Sequence, residues 1–179
     1  MQITSIWIAI GGNVDGAWGA PRDTFNQTLL GLEEAGFQIS ARSGLFRTPP
    51  FGRTGQPDFL NAVFAINGSV SPAALLRLLK RFEAKAGRRP NGRWGPRPLD
   101  LDILDFGGRV IGRAVGGRSR GGLVLPHPEM AHRDFVLTPL AEVAPHWHHP
   151  RLGVGAETLL KRNGRRAHGI RRLGDWDRS

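Results

Sequence analysis

The sequence predicts an α+β fold, a ferredoxin-like βαββαβ sandwich with a mainly antiparallel sheet and helices packed on it. Four apolar or β-branched runs, residues 4–10, 37–48, 60–67 and 99–106, are each followed at once by glycine or proline. Two helical stripes fall between the first and second runs and between the third and fourth. The resulting order, strand-helix-strand twice over, is the split unit in which helices cover one face of an antiparallel sheet. No internal repeat competes with it.

The first run stops at Gly11-Gly12-Asn13, a sharp break at a strand end. Pro21 then opens a helix in which Phe25, Leu29 and Leu32 recur at helical spacing, and Gly36 stands at its C-terminal cap. The second run alternates loosely through Phe37, Ile39 and Ala41 and stops at Pro49-Pro50, which cannot continue a sheet interior. Residues 49–58 hold three prolines and two glycines, enough to shape a rigid binding loop before the third strand. Ser71-Pro72 caps the second helix, Leu75, Leu76, Leu79 and Phe82 form its apolar stripe, and Gly87 ends it. After a basic loop, 88–98, the fourth strand runs into Gly107-Gly108, and Val110-Ile111 suggests a hairpin return. Residues 113–122, rich in glycine and arginine, read as a mobile loop, and 128–144 and 157–163 as short helices.

At 179 residues the chain fits one domain, with residues 1–150 as the core and 151–179 as a basic C-terminal segment bearing a short helix and packed on the same domain. There is no cysteine, which removes disulfides, thiol nucleophiles and thiolate zinc sites. The apolar N-terminal stretch lacks a preceding basic region and ends well short of a membrane span, so the reading is a cytoplasmic protein that is a monomer or weak dimer. A net charge of +10 raises nucleic acid as a partner. Half of that excess lies beyond residue 150 and much of the rest between Arg88 and Arg97, which argues against a nucleic-acid surface and for a local phosphate site.

The sharpest chemical signal is Leu99-Asp100-Leu101-Asp102-Ile103. In a strand the leucines and isoleucine turn to a core while Asp100 and Asp102 stand together on the other face, roughly 6–7 Å apart at Cα. Paired carboxylates at that spacing suit Mg²⁺ bridged by phosphate oxygens. Taken alone, the pair is more often an exposed acidic face. Arg88, Arg89, Arg93 and Arg97 lie immediately upstream, where guanidinium groups either grasp phosphates or only neutralise the aspartates. Trp94 sits on the same loop, stacked on a ligand or anchored in the core. His127, between two prolines, and Arg133 are candidate phosphate donors, and His127 is alternatively a turn residue. His146, His148 and His149 lack carboxylate or thiol neighbours at ligand spacing and read as exposed turn residues.

Residues 8–13, 46–50, 56–61, 83–88, 93–102, 125–128 and 133–135 together resemble 6-hydroxymethyl-7,8-dihydropterin pyrophosphokinase, which transfers pyrophosphate from ATP to a reduced pterin alcohol in folate biosynthesis. The resemblance implies catalytic roles for Arg88, Arg97, Asp100 and Asp102, with the two aspartates holding two Mg²⁺ ions. It implies nucleotide contacts from Glu83, Arg88, Arg93, Trp94, Arg97, Ile103, His127 and Arg133. A pterin slot would be built from Thr48, Pro49, Phe51, Phe59, Asn61, Trp94 and Phe135, with the two phenylalanines Phe59 and Phe135 sandwiching the ring. Gly12 departs from the family, which usually carries serine there. Two other readings remain at this stage: a two-metal nucleotidyltransferase, and a nucleic-acid-binding module that uses the basic tail.

Overall fold

The computed structural model describes residues 5–50, 55–89, 95–112, 114–115, 118–119, 122–164 and 169–176. In chain order its elements are β1 (Ile6–Gly12), α1 (Pro21–Glu34), β2 (Gln38–Arg42), β3 (Leu45–Thr48), β4 (Phe59–Asn67), α2 (Pro72–Lys85), β5 (Asp100–Phe106), β6 (Ala114–Val115) and β7 (Arg118–Ser119). A 3-10 turn (Met130–His132), α3 (Asp134–Val143), α4 (Ala156–Arg162) and β8 (Arg171–Gly174) follow.

The main sheet runs β5-β1-β4-β3-β8, with β2 also paired to β4, and every pairing is antiparallel. Strand alternation divides its side chains between two cores. Ile6, Ile8 and Ile10 of β1 pack with Phe25, Leu29 and Leu32 of α1 and with Leu75 and Leu79 of α2. Trp7 and Ala9, between them, face Val136, Leu137 and Leu140 of α3 and Leu159 of α4. Helices therefore cover both faces, whereas the sequence reading placed them on one. Each fully buried Ile, Leu or Phe here contributes roughly 1.5–3 kcal/mol.

Several other expectations are corrected. The single strand expected over 37–48 is two strands. Ser43 interrupts it, exchanging its amide with the Val63 carbonyl at 2.8 Å while its hydroxyl accepts from the Val63 amide at 3.0 Å. Residues 107–112 do not return along β5; Ile111 exchanges both backbone hydrogen bonds with Leu125 at 2.9 and 3.0 Å. The segment read as a mobile loop contains the paired β6 and β7. The helix expected from residue 128 starts only at Asp134, because Arg133 is extended (φ −111°, ψ 95°) and separates α3 from the 3-10 turn.

The C-terminal segment is part of the fold. β8 adds to β3, and Trp176 is 1% exposed, against Phe25 at 5.7 Å between ring centroids. Its indole Nε1 donates to the Ser43 carbonyl at 2.6 Å, and Arg22 Nη1 donates to the carbonyls of Asp175 and Trp176 at 3.0 and 2.8 Å.

His149 is buried as well, not an exposed turn residue. Its Nδ1 accepts from the amides of Arg151 and Leu152 at 3.2 and 3.3 Å, and its ring meets Trp147 edge-on. Burial pulls its pKa below the ordinary histidine value, despite the opposing pull of Asp105. As pH falls through about 6.5 the unfolded chain takes up this proton first, so stability is full above that pH and declines toward the depressed folded value. Thermal melts of wild type and His149→Gln between pH 7.5 and 5 check this: the acid-side loss should be shallower in the variant, with the similarly depressed His127 leaving a residual slope.

Candidate active site

β5 is an edge strand, and its alternation turns Leu101 and Ile103 into the core under α1 and α2. Asp100 and Asp102 point the other way, into a pocket on the α3 side lined by Ala9, Ile10, Gly11, Thr48, Pro49, Phe59, Asn61, Ala62, Arg97, Arg133, Phe135 and Val136. The alternation does not continue to the strand end. The β1–β5 register slips so that Trp7 faces Asp105 and Ile8 faces Ile103, skipping Leu104. This bulge puts Asp105 on the same face as the other two aspartates, whereas strict alternation along the strand would put it on the opposite one. There it is spent structurally, accepting from Trp147 Nε1 and the Gly108 amide, each at 2.8 Å.

Each aspartate of the pair meets its own set of cations. Asp100 Oδ1 accepts from Arg88 Nη1, and its Oδ2 from Arg97 Nη1 at 3.0 Å. Burial pushes the Asp100 carboxyl up, but the two guanidinium groups hold it below the usual carboxylate range. Asp102 Oδ2 lies 3.6 Å from Arg133 Nη1 and 3.7 Å from His127 Nε2, and Arg133 also bonds Glu129. The His127 Nδ1 accepts from the Glu129 amide at 3.2 Å, which leaves the ring proton on Nε2, facing Asp102. Burial lowers the His127 pKa, against the pull of Asp102, and favours the neutral ring.

Glu83 is 3% exposed and sits beneath this array. It accepts from the Leu101 amide and Lys80 Nζ and pairs with Arg88, all at 2.8 Å. Desolvation pushes its pKa up against those three partners. Its carboxylate is thus occupied in fixing the start of β5 and aiming Arg88.

The other half of the pocket is aromatic. Phe59 and Phe135 are half-buried, with the Arg97 guanidinium 6.0 Å from the first ring and the Arg133 guanidinium 5.8 Å from the second. Buried Asn61 donates to Thr48 Oγ1 at 2.7 Å. A Cβ at Gly11 would stand 2.8 Å from Asn61 Oδ1, so glycine keeps this floor open. At Gly12 a Cβ would lie 2.4 Å from the Pro98 carbonyl, which excludes serine without a shift of the turn carrying Arg97.

One pocket thus gathers Thr48, Pro49, Phe59, Asn61, Arg97, Asp100, Asp102, Arg133 and Phe135, with Arg88 bonded to Asp100 and His127 facing Asp102. The Ile103 side chain is in the core and Glu83 lies below the pocket. Phe51, Arg93 and Trp94 lie outside the described residues.

Asn13, read from sequence only as part of a glycine turn, holds the site loops together. Buried at 5% exposure, it donates from Nδ2 to Gln56 Oε1 at 3.1 Å and the Pro57 carbonyl at 3.0 Å, while its Oδ1 accepts from the Arg97 amide at 2.9 Å. Nothing in its spacing revealed this, since its partners lie more than forty residues away. Asn13→Ala should cost about 1–3 kcal/mol by leaving buried groups unpaired. It should also loosen both loops; a melting temperature equal to that of wild type would contradict the assignment.

Hard carboxylate oxygens at this number fit a cation that takes few protein ligands and completes its shell with phosphate oxygens and water. Among the described residues no group of three or more His, Asp or Glu forms a closed cage, and no helix is long and apolar enough to cross a membrane.

The ferredoxin-like sheet thus carries paired carboxylates among arginines, at one end of an aromatic slot. Residues 7–145 match the family described as 7,8-dihydro-6-hydroxymethylpterin-pyrophosphokinase. The chain belongs to that family. It is 38% identical over 147 residues to 2-amino-4-hydroxy-6-hydroxymethyldihydropteridine pyrophosphokinase of Synechocystis sp., covering 82% of this chain and 69% of the relative. The enzyme of the same name from Methylorubrum extorquens is 43% identical over 124 residues, covering 69% and 71%, and that from Pseudomonas aeruginosa is 36% identical over 145 residues, covering 80% and 83%. Among solved structures, Plasmodium falciparum HPPK-DHPS with pterin and p-hydroxybenzoate superposes with a TM-score of 0.68 at 14% identity. That likeness concerns the fold; it covers 96% of this chain, which spans about half (47%) of the solved chain.

Proposed function

We propose that this chain transfers the terminal diphosphate of ATP to the hydroxymethyl group of 6-hydroxymethyl-7,8-dihydropterin, releasing AMP. The observation that carries the reading is the single pocket in which the Phe59/Phe135 slot opens onto Asp100, Asp102, Arg97 and Arg133. A flat heterocycle needs stacking faces and a few fixed polar groups. Phe59 and Phe135 supply the faces, and Asn61, held by Thr48, supplies an oriented amide. Phe51 and Trp94 belong to the same slot in this reading.

Arg88, Arg97, Arg133 and the His127 Nε2–H take phosphate oxygens, with Arg93 completing the set, and Glu83 keeps Arg88 aimed. With its side chain in the core, Ile103 meets the nucleotide through the outer main chain of the edge strand. Asp100 and Asp102 hold Mg²⁺, two ions in this reading, which when bound neutralises charge on the phosphate oxygens. The acceptor oxygen forms its bond to the β phosphorus as the bond to the α–β bridging oxygen breaks, and that electron pair leaves with AMP. The hydroxyl proton passes to solvent or to a phosphate oxygen; among the described residues no side chain in the pocket stands out as a general base. Positioning and electrostatics then supply most of the rate.

Incubation with ATP, Mg²⁺ and the pterin alcohol should yield AMP and pterin diphosphate in equal amounts, and EDTA should stop the reaction. Formation of ADP, or AMP release indifferent to the pterin, would overturn the reading.

A further inference from the structure

The family match ends at residue 145, yet the chain beyond it reaches back to the acceptor side of the pocket. β8 pairs along β3, Arg171 opposite Arg47 and Arg172 opposite Phe46. β3 ends at Thr48 and leads directly into Pro49, both residues of the pocket wall. Just before β8, Gly169 adopts φ +91°, and its backbone lies so close to Pro49 that a Cβ there would stand 2.6 Å from Pro49 Cγ and 3.0 Å from its Cδ.

The same segment is tied to the opposite wall. Arg172 Nε donates to Glu142 Oε2 of α3 at 2.8 Å, and Glu142 Oε1 accepts from the Gly44 amide at 2.6 Å, at the entry to β3. α3 carries Phe135 and Val136, which line the pocket. Buried Trp176 staples the far end of the segment. None of these links reaches Asp100, Asp102 or their arginines.

We propose that Gly169 and β8 form the outer support of the acceptor slot, with Gly169 setting the position of Pro49 and so the width open to the acceptor ring. Gly169 is a positioning residue: it acts through Pro49 and touches no substrate. The inference rests on the pterin reading of the slot. A methyl group at Gly169 drives Pro49 inward, whereas the nucleotide half, held by Glu83 and Asn13, stays in place.

Steady-state kinetics of the full chain test this. Gly169→Ala should raise KM for the pterin alcohol roughly tenfold, as methyl-sized overpacking does, with KM for ATP unchanged. Backbone strain at a positive φ is indifferent to what Pro49 carries, but the steric push is not. Adding Pro49→Ala should therefore recover most of the loss, measured against Pro49→Ala alone. Arg172→Met, which cuts the tie to α3 from an exposed site, should raise the acceptor KM in the same direction by a smaller factor; it serves also if Gly169→Ala folds poorly. An unchanged acceptor KM, equal rises in both KM values, or no recovery in the double variant would overturn the inference while wild type still turns over the pterin. Absence of pterin-dependent AMP from wild type would overturn the substrate reading, and this inference with it.

Discussion

Asp102→Ala is expected to fold like wild type and to lose turnover by on the order of 10²–10³-fold, the scale of removing one preorganised electrostatic stabiliser of a transition state. Asp102 lines the pocket, and its cationic neighbours stand 3.6 and 3.7 Å away, too far for close hydrogen bonds, so little packing depends on it. Removing it also relieves repulsion from Asp100 on the same strand face. A melting temperature near wild type with turnover nearly lost is the expected pair of results. Near-wild-type turnover at saturating Mg²⁺ would contradict the metal-ligand role proposed for it.

Trp176→Ala has the largest expected effect on stability. The indole is 1% exposed, packs on Phe25, and donates to the Ser43 carbonyl at the break between β2 and β3. Truncation removes the buried ring and leaves that carbonyl without its partner, costing about 3–5 kcal/mol. For a chain of this length the melting temperature should fall by roughly 6–20 °C. A fall of only a degree or two would show that the C-terminal segment adds little to the core.

What sequence could reveal followed from local periodicity. The alternation at 99–103 placed Asp100 and Asp102 correctly, and the stripes of α1 and α2 gave the helices that cover one face of the sheet. The bulge at Leu104 was not legible, because an inserted residue leaves no pattern of its own; it moved Asp105 to the other face. The split at Ser43 depends on a hydroxyl exchanging with Val63 across the sheet, a partner twenty residues away. Arg171–Gly174 is short, basic and exposed at Leu173, so nothing in it announces a strand; its placement comes from pairing with β3 and from Trp176 beyond it. Asn13 was hidden for the same reason, its function lying in contacts across the fold.

The arginines illustrate how two readings of one feature meet. Arg88 and Arg97 do bond Asp100, as mere neutralising partners would. Arg97 does so in the wall of the pocket that Arg133 also lines, and in the proposed function phosphate takes over these hydrogen bonds.

The transfer of a diphosphate unit is tested most directly by following label from ATP. With ATP labelled in the β phosphate, the label should appear in the pterin product, and with α-labelled ATP it should remain entirely in AMP. Label from the γ position alone in the product, with β label left in ADP, or α label attached to the acceptor, would contradict the account.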